Sequence, residues 1–124
     1  MIDTKLKDKT ALITGANTGI GKATALAFAA QGTNIIIHYL GRKIDVEEPF
    51  QPEYYDFSGK QGALELADRI RGNGGKATIA EANLMVPEAI PGLFDEAETA
   101  FGRVDILVNN AAHCELPDDI FSAT

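Results

Sequence analysis

Cysteine is almost absent: Cys114 is the single one in 124 residues. It has no intramolecular disulfide partner, which suits a reducing, cytoplasmic setting. The chain also lacks any run of 18 apolar residues, so no membrane-spanning helix is expected. Its opening residues, Met1 to Lys9, hold no apolar stretch of the kind a secretory signal carries. Basic charge is in deficit, 11 Lys and Arg against 18 Asp and Glu, for a net charge of −7. A molecule of that sign repels nucleic-acid phosphates and anionic lipid, so neither is the expected partner. Histidine is scarce too. His113 stands beside Cys114, but the only other histidine is His38. Metal sites need three or four ligands. The His113–Cys114 pair therefore reads as loop rather than as a metal or thiol site.

What is present is the composition of one soluble domain: 45% hydrophobic and 23% charged, with no internal repeat. Short β-like runs alternate with helix-period segments. Thr10–Thr14 is predicted as a buried strand and Gly19–Gln31 as an Ala-rich helix. Thr33–His38 is a second, continuously apolar strand. Ala63, Leu66, Ala67 and Ile70 follow helical spacing, which predicts a helix over Gln61–Arg71 that ends at Gly72-Asn73-Gly74-Gly75. Lys76–Ala82 is a third strand. Ile90, Leu93, Phe94, Ala97 and Phe101 define a third helix, with a break or restart expected at Pro91. Val104–Val108 is a fourth strand. Strict β-α alternation predicts an α/β fold, a parallel sheet with helices on both faces. One excursion breaks the rhythm. An acidic, proline-bearing, aromatic segment at about 44–60 exceeds the roughly 2–6 residues a strand-to-helix turn needs. It reads as a surface loop, or as a lid or partner-binding loop, since Phe50, Tyr54, Tyr55 and Phe57 need something to bury against.

The most informative residues are Thr14-Gly15-Ala16-Asn17-Thr18-Gly19-Ile20-Gly21, where the first strand meets the first helix. A pyrophosphate there would meet free backbone N–H groups at the positive end of the helix dipole. Gly15 permits the tight turn, Gly19 the close approach of phosphate, and Gly21 the close packing of helix on strand. A P-loop is the competing motif, but it would need glycine at Ala16 and a hydroxyl at Ala23.

The spacing Thr-Gly-x-x-x-Gly-Ile-Gly resembles the variant used by the short-chain dehydrogenase/reductase family. Asp105-Ile106-Leu107-Val108-Asn109-Asn110-Ala111-Ala112 resembles that family's Asn-Asn-Ala-Gly at the end of strand four. The resemblance implies the first four strands of the fold, in spatial order 3-2-1-4, and a dinucleotide site. Asn109 would fix the strand-four backbone beside the glycine turn. Asn110, Ala111 and Ala112 would lie along the cofactor near the nicotinamide-side ribose. Ala112 stands where the family usually has glycine. Asn83, with Leu84 beside it, occupies the adenine position, where the family typically has Asp.

NAD-preferring members carry an acidic residue after strand two to accept the ribose hydroxyls. Here the corresponding residue is His38, and Arg42 and Lys43 follow, a fork and a point charge suited to phosphate. NADP(H) is therefore expected over NAD(H), with NAD(H) the alternative. Thr18, where many NADP-preferring relatives have a basic residue, weighs against it. The family moves hydride between a nicotinamide and a carbonyl or alcohol, using Ser, Tyr, Lys and Asn. Tyr39 and Lys43 have the Tyr-x-x-x-Lys spacing but fall at the adenosine end. The resemblance puts the reacting groups beyond Thr124, so no catalytic residue is expected in this chain. Strand four would be a bare apolar edge, which predicts instability or self-association. The two readings are the N-terminal part of an oxidoreductase acting on a small carbonyl or alcohol, and a non-catalytic dinucleotide-binding module or remnant.

Overall fold

The computed structural model of the chain describes residues 3–41 and 59–111. The elements run β1 (Thr10–Ile13), α1 (Gly19–Ala30), β2 (Asn34–Tyr39), α2 (Lys60–Gly72), β3 (Ala77–Glu81), α3 (Ala89–Phe101) and β4 (Ile106–Val108). All pairings are parallel, as the α/β reading expected, and the order is β3-β2-β1-β4, as the family resemblance implied. Most of the expected excursion lies outside the described residues, as do Arg42, Lys43, Ala112, His113 and Cys114.

Strand alternation sends side chains to two layers. Ala11, Ile13, Ile35 and Ile37 face α1 and α2, packing on Ala25, Ala63, Leu66, Ala67 and Ile70. Leu12 and Ile36 face α3, against Leu93 and Ala97. Burying a side chain such as Leu66 or Ile70 contributes roughly 1.5–3 kcal/mol. Because both faces are covered, β2 reads as an unbroken apolar run rather than an alternating one.

Most boundaries fall within a residue or two of expectation, and two differences have physical reasons. β2 continues through Tyr39, one residue past the expected end at His38, so His38 sits within the ladder opposite Ala80. Pro91 neither breaks nor restarts α3. The helix begins at Ala89, which places Pro91 in its first turn, where a missing N–H costs no intrahelical bond. The glycine-rich stop of α2 behaves as expected: Gly74 has φ +87° and the Gly75 N–H closes the end on the Ile70 carbonyl at 3.0 Å. β4 pairs only with β1 among the described residues. Asp105 staples its start, donating its N–H to Thr10 O and accepting the Thr10 N–H at 3.0 Å.

Candidate dinucleotide site

The carboxyl ends of all four strands meet around the turn Thr14–Gly21. In an open parallel sheet this is the crevice where ligands bind, at the point where the strand order reverses between β1 and β4.

Thr14 is the hub of the turn, a role the sequence reading did not assign. Its hydroxyl donates to the Val108 carbonyl at 3.3 Å and accepts the N–H groups of Asn110 and Ala111 at 2.9 and 3.0 Å. Its place at the head of the motif was the available signal. Asn110 completes the junction, its Nδ2 donating to both the Thr14 and Gly15 carbonyls at 3.2 Å. The positioning role expected of Asn109 therefore falls to Asn110, while Asn109 is exposed. Both amide hydrogens of Asn110 are spent on backbone, which leaves its Oδ1 for a ligand.

The three glycines serve three different ends. Gly15 has φ +63°, and an added Cβ would lie 3.2 Å from the Ala111 Cα. Gly21 sits in a closed space, where a Cβ would come within 2.5 Å of Asn110 Nδ2 and of the Gly15 carbonyl. Gly19 has φ +58° and nothing within 4 Å of an added Cβ. Its glycine preserves a backbone angle and an open approach. Asn17 is half-buried; Thr18 is exposed, and Ile20 is 79% exposed.

α1 begins without a cap. Thr18 is extended at the N-cap position but makes no side-chain bond to the helix, and no acidic residue stands in the first turn. The Lys22 N–H bonds to Thr18 O, leaving the Gly19, Ile20 and Gly21 N–H groups without a carbonyl partner. Such an end carries partial positive charge and suits an anion.

His38 does not meet the expectation of a group facing the adenosine ribose. It is 2% exposed, and both ring nitrogens are taken by backbone. Nδ1 accepts the Gly15 N–H at 2.9 Å and Nε2 lies 2.8 Å from the Ala82 carbonyl. An N–H can only donate and a carbonyl only accept, so the ring is the neutral Nε2–H tautomer. Burial lowers its pKa from the ordinary value, against the smaller opposing pulls of the Ala82 carbonyl and Glu81. The same strand's backbone also holds the turn, with Ala16 N–H donating to His38 O at 3.0 Å.

On the β3 side, Asn83 Oδ1 accepts the Met85 N–H at 3.0 Å, forming a tight turn that keeps the side chain at the crevice edge. Its NH₂ and one remaining lone pair are available to a ligand. Leu84 is half-buried and packs against the α3 layer.

A family model described as "Enoyl-(Acyl carrier protein) reductase", a short-chain dehydrogenase/reductase model, matches residues 15–123. The chain belongs to the short-chain dehydrogenase/reductase family. Within that family it is 37% identical over 106 residues to glucose 1-dehydrogenase 2 of Bacillus subtilis, covering 86% of this chain and 34% of that one. It is 34% identical to L-rhamnose 1-dehydrogenase (NAD(P)(+)) of Azotobacter vinelandii, covering 96% and 43%. The chain thus spans well under half the length of these short-chain relatives. Among solved structures, a short chain dehydrogenase from Burkholderia cenocepacia in complex with NADP superposes with a TM-score of 0.75 at 29% identity. That match covers 98% of this chain and 42% of the other. A blue fluorescent protein from a metagenomic library, in complex with NADPH, gives 0.74 at 28% identity, covering 96% and 42%. The Rossmann-like sheet of a short-chain dehydrogenase/reductase is therefore the fold of this chain. No helix among the described residues is long and apolar enough to cross a membrane.

Proposed function

We propose that this chain is the dinucleotide-binding part of an NADP(H)-preferring oxidoreductase that acts on a small carbonyl or alcohol. The observation that carries the reading is the uncapped first turn of α1, with open space over Gly19. A pyrophosphate fits both features: it accepts the three free N–H groups and needs the room that a side chain would fill. Gly15, Asn17, Thr18, Gly19, Ile20 and Gly21 would line it. Asn83 and Leu84 would border the adenine. Asn110, Ala111 and Ala112 would follow the nicotinamide half, with Asn110 acting mainly through the backbone it holds. When bound, the nicotinamide supplies the hydride chemistry.

Arg42 and Lys43 would receive the 2′-phosphate of NADP(H). The NADP and NADPH complexes of two structural neighbours support this preference, while the NAD(P)(+) in the name of the Azotobacter relative keeps NAD(H) as the alternative. The one-sided pairing of β4 and the 46% exposure of Leu107 support self-association or cover by another segment. Titration with NADPH and NADH tests the reading. NADPH is expected to bind about tenfold tighter or more, the effect of a charge-assisted contact worth at least ~1.4 kcal/mol. Equal affinities would overturn the preference, and binding of neither would overturn the dinucleotide site. Carbonyl-dependent NADPH oxidation by the natural protein separates an oxidoreductase from a binding module.

A further inference from the structure

His38 is a buried, titratable group that hydride transfer does not use. It sits where three structural pieces meet: the glycine turn after β1, the end of β2 and the end of β3. The Gly15 N–H donates to Nδ1 at 2.9 Å, and the Nε2–H donates to the Ala82 carbonyl at 2.8 Å. Ala82 directly precedes Asn83. A single ring therefore ties the phosphate side of the crevice to its adenine side. We propose that His38 is the positioning residue of the dinucleotide turn, and that protonation of Nδ1 turns its bond to Gly15 into an opposition of two donors and unlatches the turn.

The chemistry leaves the ring one functional state. The neutral Nε2–H tautomer satisfies both backbone partners, whereas imidazolium has no acceptor at all. Gly15 cannot turn its N–H away cheaply. The Asn110 amide holds the Thr14 carbonyl of the same peptide and the Gly15 carbonyl of the next, both at 3.2 Å, and the φ of +63° lies between them. The surroundings offer little to stabilise the cation. Of the elements packed on the ring, the β1 turn contributes Thr14, Gly15 and Ala16, all uncharged. β3 contributes Glu81, and β2 contributes the neighbouring Tyr39, whose own pKa is raised by burial. α1 has no acidic residue in its first turn. Glu81 is the one described carboxylate that pulls on the ring, and burial outweighs it.

The sign follows. A histidine held neutral in the folded state leaves folding independent of its titration above the ordinary value of 6.5. As pH falls below that value the unfolded chain takes up the proton first, so stability drops until the folded ring is protonated too. Dinucleotide binding, which favours the latched turn, weakens at more acid pH, where the folded ring itself takes up the proton, by at most about tenfold per pH unit.

This inference rests on the dinucleotide reading, and the experiment separates the two. The probe is NAD⁺, because the 2′-phosphate of NADP titrates near pH 6 itself. Its dissociation constant is measured from pH 8 to pH 5 for the unsubstituted protein, His38→Asn and His38→Leu. Imidazole ¹⁵N shifts and the exchange rate of the Gly15 amide are followed in parallel. The expected result is an Nε2–H ring at pH 8 and, once the ¹⁵N shifts report Nδ1 protonation, a weakening of NAD⁺ binding that approaches about tenfold per pH unit. Gly15 exchange should accelerate along the same titration. His38→Asn, which offers one acceptor and one donor, should bind more weakly than the unsubstituted protein but better than His38→Leu at pH 8, and should lose the acid weakening. His38→Leu should bind more weakly at every pH, with fast Gly15 exchange throughout. An Nδ1–H ring, acid weakening retained in His38→Asn, or full binding by His38→Leu would overturn the latch while leaving the dinucleotide site standing. Absence of NAD⁺, NADPH and NADH binding at pH 8 would instead overturn the dinucleotide reading.

Discussion

Two strand-to-helix junctions open on the same crevice, and they treat backbone donors in opposite ways. At the entrance to α1, Gly19, Ile20 and Gly21 leave three N–H groups unpaired, and Thr18 declines to cap them. At the entrance to α3 the chain consumes the donors of the first helical turn and of the turn at Asn83. Met85 N–H bonds to Asn83 Oδ1, Val86 N–H to Asn83 O, Ala89 N–H to Val86 O and Ile90 N–H to Pro87 O. Pro91, third in the helix, has no N–H to offer. Both helices point a positive dipole end toward the crevice, but of the two only α1 leaves its first three helical N–H groups for a ligand. The contrast teaches that a helix N-terminus becomes an anion site through what the local sequence withholds, and not through the dipole alone.

Substitutions at the two junctions test that contrast. The largest effect is expected from Gly21→Val. Its branched side chain would enter a space closed by the Asn110 amide, the Gly15 carbonyl and the Ala16 Cα. Overpacking against backbone costs about 1–3 kcal/mol. Chemical denaturation should show that loss, together with the disappearance of dinucleotide binding. Gly19→Ala should separate stability from affinity. The left-handed φ costs alanine roughly 1 kcal/mol, but the added methyl meets no protein atom. Calorimetry should therefore find a modest fall in melting temperature beside a loss of affinity of about tenfold or more, since the methyl obstructs the phosphate approach. Equal affinity in Gly19→Ala would show that the open space is not where phosphate binds. Pro91→Ala should be the mildest, within about 0.5 kcal/mol, because a first-turn residue needs no intrahelical N–H bond. An unchanged dinucleotide affinity is expected there, and a large change would mean that the two junctions are coupled.

The strands and the helix spans were legible because periodicity reports burial, while the sheet order came only with the family resemblance. Ile35-Ile36-Ile37 could only be a strand covered on both faces, and Ala63, Leu66, Ala67 and Ile70 could only be one helix face. The glycine turn was legible because three glycines between strand and helix signal backbone needs that other residues meet poorly. The partnerships within the site were not. Asn109 and Asn110 are the same residue type one position apart, and a sequence does not say which amide turns inward. Strand geometry decides it: after β4 alternate side chains face opposite ways, and Asn110 is the one aimed at the Thr14 and Gly15 carbonyls. The placing of His38 is another such partnership: its ring lies under the glycine turn, between the Gly15 N–H and the Ala82 carbonyl, instead of beside a ribose.

The sequence by itself determined that this chain forms a parallel α/β sheet with a glycine turn where β1 enters α1, because hydrophobic period and glycine spacing are local, one-dimensional quantities. Only the tertiary structure decided which donors stay free and which groups hold them in place. The Gly15 N–H finds its acceptor 23 residues away on His38, and the Asn110 amide finds its carbonyls 95 and 96 residues back. Those partners become neighbours only when the strands assemble, and the one-dimensional pattern carries no distance between them.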